Sequence, residues 1–171
     1  MSRLIESVPG ATFADGSMAD VELWVSAEPV DEERVFVATV VVTDATGRYA
    51  VAYSPRRREW SIPGGWREPG ETVLECALRE VWEETSLRLD ADSLQIFGHE
   101  DYTPRSRHGL WPEDGGSMQV FRATLPVAGD ELVATEPDAV DPRWVSAEEF
   151  EALSGRQFWW PLVAAAMTAD E

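Results

Sequence analysis

The sequence predicts an α+β chain, an α/β/α sandwich in which a mixed β-sheet is flanked by helices. Three observations predict it. Val35 to Thr43 is a run of nine residues dense in β-branched side chains, the pattern of a strand buried on both faces. An amphipathic helical stretch follows Thr72. A second, shorter helix opens at Ser146, directly after a strand-like stretch through Trp144. With 171 residues, 44% of them apolar, and eight tryptophans, the chain is expected to be one domain over 1–171 with a single core.

Taken in order, residues 1–20 show no clear periodicity and are expected to be irregular or peripheral. Val21–Val25 alternates weakly and fits a short or edge strand. After the strand at Val35–Thr43, Asp44-Ala45-Thr46-Gly47 reads as a hairpin turn into a second strand at Arg48–Ser54. Arg56-Arg57-Arg58 reads as a polar loop, and Trp60–Pro63 as a short strand delivering Gly64-Gly65. In the helix that follows, Leu74, Leu78, Val81 and Thr85 read as the buried stripe, with Ala77 at its edge. Leu94–Glu100 is a further strand, 101–117 a long polar loop, and Met118–Leu125 another strand. Asp141–Val145 is short and extended, Ser146-Ala147-Glu148-Glu149 carries a capping box, and Trp160-Pro161 starts a last helix.

The chemistry concentrates on the first helix. At about 100° per residue, Glu80, Glu83 and Glu84 fall within one arc. Carboxylates at such spacing repel one another unless a cation sits between them. Hard oxygen ligands suit Mg²⁺, with Mn²⁺ as the alternative. Arg79 lies one turn before Glu83 and can orient a carboxylate, while Glu71 opens the helix after a Pro69-Gly70 turn. A charged helix face by itself is usually only a solvated face. The joint spacing is more specific: Gly65, five residues, Glu71, seven residues, then Arg79-Glu80-Val81-Trp82-Glu83-Glu84-Thr85-Ser86-Leu87.

This spacing resembles the Nudix box, with Ser86 in place of its last glycine. The likeness extends over roughly Val35 to Leu153 and implies the Nudix fold. It also implies a Mg²⁺-dependent pyrophosphohydrolase, in which water attacks phosphorus in a nucleoside diphosphate linked to another moiety. A nucleotide sugar or ADP-ribose, a nucleoside triphosphate and a dinucleoside polyphosphate all remain open. Carried over by position, Glu80, Glu83 and Glu84 are metal ligands, the Gly64 carbonyl often joins them, and Glu71 and Arg79 orient the set. Ser86 carries no catalytic atom; it stands where the chain turns out of the helix and φ > 0 is easy for glycine.

A general base is expected from Glu80 or from a later loop, where Glu113, Asp114, Glu136 and Asp138 are candidates and Glu136 is preferred for its place before Trp144. Arg105, Arg107 and His108 could close on phosphates. Tyr102, Trp60, Trp66 or Trp111 could stack on a base, although aromatics more often pack. Pro104 and Tyr102 resemble the markers of two different subfamilies and so select neither. The one thiol, Cys76, falls where the box helix packs and reads as structural. Members of the fold that no longer catalyse and act as ligand-sensing or interaction domains are the alternative, but they usually lose box carboxylates, and none is lost here.

The formal net charge of −18 opposes binding to duplex nucleic acid, and no apolar run suits a signal peptide or a membrane span. The expected partner is therefore a small nucleotide, the expected location cytoplasmic. Many relatives form homodimers, which leaves a homodimer open beside the monomer.

Overall fold

The computed structural model describes residues 1–106 and 112–169. Its strands are β1 (Ser2–Thr12), β2 (Met18–Ser26), β3 (Val35–Thr43), β4 (Tyr49–Ser54), β5 (Glu59–Ser61) and β6 (Gly64–Trp66). Helix α1 (Val73–Thr85) is followed by β7 (Gln95–Pro104), β8 (Gly116–Thr124), β9 (Val140–Val145), α2 (Ala147–Ser154) and α3 (Trp160–Thr168). The strand order is β1-β2-β7-β8-β3-β4-β5, with β6 added to β3 and β9 added to β4. Among the described residues only β3 and β8 run parallel, so the sheet is mixed, as expected.

Strand β3 explains how one sheet supports two cores. Val35, Ala38, Val40 and Val42 enter a cluster with Val73, Cys76, Ala77 and Val81 of α1. Val37 and Val41 enter the other cluster, with Phe150 of α2 and Leu162 and Val163 of α3. From Val37 onward, alternation across a strand buried on both faces dictates this split, and the register shift between Val35 and Val37 puts Val35 on the α1 side. Beyond β3 the sheet forks. Val37–Thr39 pairs with β6, whereas β4 meets β3 only at Thr43↔Tyr49. That fork brings the Gly64-Gly65 strand over the start of α1.

Four expectations are corrected. Residues 2–12, expected to be irregular or peripheral, form the edge strand β1, paired with β2. Val21–Val25 belongs to a longer strand set between β1 and β7. The loop expected over 101–117 is shorter, because β7 runs to Pro104 and β8 begins at Gly116. The buried face of α1 is also rotated from the expected stripe: Val73, Cys76, Ala77, Val81 and Thr85 are buried, while Leu74 and Leu78 are half-buried.

Helix α1 starts at a capping box in which Thr72 accepts from the Glu75 N–H and the Glu75 carboxylate from the Thr72 N–H. It ends at Ser86, whose φ of 63° is left-handed. This is the position where the resemblance leads one to expect glycine. The serine hydroxyl donates to the Val133 carbonyl at 2.5 Å, which offsets part of the strain.

The turn after β3 is held by Asp44. Its carboxylate accepts from Thr46 N and Oγ1, Arg48 N, Nε and Nη2, and Gly129 N, at 2.7–3.0 Å. Burial alone would raise its pKa, but the hydrogen bonds from Gly129, Thr46 and Arg48 outweigh burial and hold it well below the usual carboxylate range. Asp44→Ala is expected to lower stability by about 3 kcal/mol in urea unfolding at pH 7. Because the folded pKa is depressed, that difference is present above the ordinary carboxylate pKa of about 4 and shrinks as pH falls below it.

Candidate active site

Arg79 organises the acidic face of α1. Its Nε and Nη2 donate to the two oxygens of Glu71 at 2.6 and 2.9 Å. Nη1 donates to Glu80 at 2.8 Å and to Glu83 at 3.0 Å, and Nη2 also reaches the Trp66 carbonyl at 2.9 Å. The planar guanidinium fork suits this division of labour, which a lysine could not reproduce. Hydrogen bonding to Arg79 lowers the pKa of Glu71, and the same contact, with Glu80, raises that of Arg79. The network ties the helix to β6 through both side chain and backbone. The Cys76 thiol completes the joint, donating to the Gly65 carbonyl at 3.4 Å. Burial, with Glu71 beside it, pushes its pKa up to about 12, so it is an inert packing group, as expected.

Glycine is required in β6 because carboxylates and neighbouring backbone occupy the space a side chain would need. A Cβ on Gly65 would lie 2.5 Å from the Glu80 carboxyl, and one on Gly64 would lie 2.6 Å from the Ala38 carbonyl oxygen. Gly65→Ala must therefore displace Glu80. The expected loss of activity is about 10²-fold, read as kcat/KM, with the thermal midpoint little changed.

Glu84 is half-buried beside this joint. Burial, then the nearby Glu80 charge, push its pKa up to about 8; Arg57 and the Gly64 N–H oppose the rise and Asp138 adds to it. Burial raises Glu80 as well, despite Arg79. Carboxylates crowded to this degree have the donor chemistry of a hard divalent cation site. Among the described residues, however, no three acidic, histidine or cysteine side chains converge on a common point. Arg79 engages one oxygen each of Glu80 and Glu83, Oε1 of the first and Oε2 of the second.

A cleft of about 820 Å³ opens across β6 from the acidic helix. Val37 and Thr39 of β3, Glu100 and Tyr102 of β7, Met118 and Val120 of β8, and Leu162 and Val163 of α3 line its depth. Gly64, Gly65 and Trp66 form the wall nearest the acidic helix, and Arg56, Arg57 and Arg58 lie at the cleft as well. Arg57 donates to Ser61 Oγ at 3.0 Å and pairs with Glu59 at 3.2 Å. Its positive charge opposes the burial-driven rise of Glu84, Glu59 and Glu100, so it acts on the acidic helix and on the cleft alike. The arginine triplet, expected to be only a polar loop, thus supplies local positive charge in an acidic chain. A run of three arginines was the signal; what hid it was that their neighbours come from distant elements.

The other expected residues are placed as follows. Tyr102 lies in the cleft lining but in a strand, its ring buried and its hydroxyl donating to Glu100 at 3.4 Å. Arg105 pairs with Asp20 at 2.7 Å and is not among the cleft-lining residues. Glu136 is exposed on the segment that Thr135 ties to the Glu83 carbonyl through its N–H, at 2.7 Å, and its hydroxyl, at 3.0 Å. Arg107, His108 and Trp111 lie outside the described residues. Trp60 packs against Tyr53 and under Arg143, whereas Trp66 packs on Phe36 at the cleft. No helix among the described residues is long and apolar enough to cross a membrane.

A family model described as the NUDIX domain matches residues 33–165. The chain is 27% identical over 122 residues to the NAD-capped RNA hydrolase NudC of Pseudomonas fluorescens (strain Pf0-1), covering 70% of this chain and 40% of that protein. It is 35% identical over 115 residues to a MutT-like protein of Streptomyces ambofaciens, covering 67% and 65%. The chain thus spans about 40% of the length of the NudC relatives that it matches. Among solved structures, the E. coli dihydroneopterin triphosphate pyrophosphohydrolase shares the fold with a TM-score of 0.60 at 21% identity, over 84% of this chain and 100% of that one. The Bacillus subtilis pyrophosphohydrolase BsRppH does so with a TM-score of 0.58 at 20% identity, over 82% and 77%. The match over most of the chain, on the fold and box geometry described above, shows that this chain belongs to the NUDIX family.

Proposed function

We propose that the chain is a Mg²⁺-dependent pyrophosphohydrolase acting on a nucleoside diphosphate linked to another moiety. The observation that carries this reading is the Arg79 network, which holds Glu71, Glu80 and Glu83 of the box against the glycine strand of an arginine-lined cleft. Glu80, Glu83, Glu84 and the Gly64 carbonyl would hold the divalent ion, with Glu71 and Arg79 orienting them. When bound, the ion neutralises diphosphate charge and lowers the pKa of a water.

The chain's own residues do the rest by positioning. Arg56, Arg57 and Arg58 offset the acidic field and meet the phosphates with charge-assisted hydrogen bonds. Water attacks phosphorus, the anhydride P–O bond breaks, and the water's proton passes to a carboxylate. Glu136 is our candidate for that base, since Thr135 fixes its segment to the Glu83 carbonyl. Glu80 is the other candidate, and Glu136→Gln separates them: kcat falls if Glu136 is the base and holds if Glu80 is.

A second reading is a ligand-sensing domain without catalysis, in which Arg79 keeps Glu80 and Glu83 as ion-pair partners of its own. One screen decides between the two. ADP-ribose, sugar nucleotides, NAD, NAD-capped RNA, dinucleoside polyphosphates, and normal and oxidised nucleoside triphosphates are incubated with Mg²⁺ at mildly alkaline pH. Turnover of one class supports the hydrolase. Ligand-induced thermal stabilisation with no turnover of any supports the sensor.

A further inference from the structure

Ser86 departs from the glycine of the box pattern, and the departure is a strained one. At φ 63° and ψ 15° its backbone is left-handed, a conformation easy for glycine and unfavourable for a residue with a Cβ. What serine has and glycine lacks is a hydroxyl. That hydroxyl donates to the Val133 carbonyl at 2.5 Å, while the Val133 N–H donates back to the Thr85 carbonyl at 3.1 Å. Thr135 donates its N–H at 2.7 Å and its hydroxyl at 3.0 Å to the Glu83 carbonyl. The last turn of a helix leaves carbonyls without partners inside the helix. Here a segment distant in sequence takes those of Glu83 and Thr85.

That segment has little else to hold it. Buried Leu132 and Ala139 anchor its ends. Between them no residue is in a helix or strand, and all except Ala134 are exposed. A stretch of this kind opens locally unless hydrogen bonds fasten it. It carries Glu136, the candidate base, and Asp138, whose charge adds to the rise that burial and Glu80 produce at Glu84. One joint at the end of α1 thus bears both the ion-site carboxylates and the segment that faces them.

Resting on the hydrolase reading of the box, we propose that Ser86 is a positioning residue for that reaction. Its hydroxyl clamps residues 133–138 onto the end of the box helix, and the clamp sets where Glu136 and Asp138 stand relative to Glu83 and Glu84. Ser86 touches no reacting atom. It acts through the segment, so its loss is read in the rate of the bound complex and not in substrate affinity.

Amide hydrogen exchange in the metal-free full chain reads the clamp without any substrate. Ser86→Gly is expected to speed exchange of the Val133 and Thr135 amides about tenfold while the Val81 amide, inside α1, keeps its rate. The thermal midpoint should change little, because relief of strain offsets the lost hydrogen bond. With the substrate found in the screen, kcat should fall about tenfold at unchanged KM. Ser86→Ala loses the hydroxyl but keeps the strain, so it should show the same exchange and the same kcat at a lower midpoint. A serine that only stabilises the turn would lower the midpoint in Ser86→Ala and move kcat in neither variant, which overturns the proposal. Wild-type exchange at Val133 and Thr135 in Ser86→Gly overturns it too. A wild type that turns over no substrate marks failure of the hydrolase reading instead, and the exchange rates still decide the clamp.

Discussion

Glu83→Gln is expected to reduce Mg²⁺-dependent turnover by at least about 10²–10³-fold while leaving the fold intact. Glutamine keeps the shape of the side chain and an oxygen that can still accept from Arg79, so the 3.0 Å contact survives. What is lost is one negative charge at the place where the cation must be held. The Glu83 backbone carbonyl, which anchors Thr135, is untouched, so the Glu136 segment stays in place. Steady-state kinetics with a Mg²⁺ titration reads the effect, and circular dichroism verifies the fold. Turnover equal to the wild type would place the chemistry elsewhere.

Arg79→Ala should act on both stability and activity. It removes the shared partner of Glu71 and Glu80, whose side chains are only 10% and 13% exposed. Two largely buried carboxylates left without their cation predict a loss of about 3–5 kcal/mol in the metal-free protein, measured by urea unfolding. Saturating Mg²⁺ should recover part of the stability, because a ligand that binds only the folded state stabilises it by mass action. It should not recover the rate, since Glu71 no longer orients the set. Arg79→Lys keeps the charge but not the fork, and is expected to fall between the two.

The parts of the site that were legible in the sequence are those built from local spacing. Arg79, Glu80, Glu83 and Glu84 share one helix face by helical period, and the Gly64-Gly65 pair precedes them at a fixed distance. The parts that were not legible depend on tertiary contacts. β1 is exposed along most of its length, carries Pro9 and Gly10, and has register shifts at Leu4/Glu6 and Val8/Ala11, so no alternating pattern marks it. Asp101-Tyr102 reads as the start of a polar loop after a strand ending at Glu100, yet β7 runs on to Pro104 and strand alternation turns both Glu100 and Tyr102 to the cleft. On α1 the larger Leu74 and Leu78 suggested the buried face. The close approach of β6 instead selects the smaller Val73, Cys76 and Ala77.

The most direct measurement is hydrolysis of the substrate found in the screen in ¹⁸O-labelled water, with and without Mg²⁺, in the wild type and Glu83→Gln. The expected result is one labelled oxygen per turnover in a phosphate-bearing product, only with Mg²⁺ and only at the wild-type rate when Glu83 is present. Label in a product that carries no phosphate, or undiminished labelling in Glu83→Gln, would contradict water attack on phosphorus at the box carboxylates.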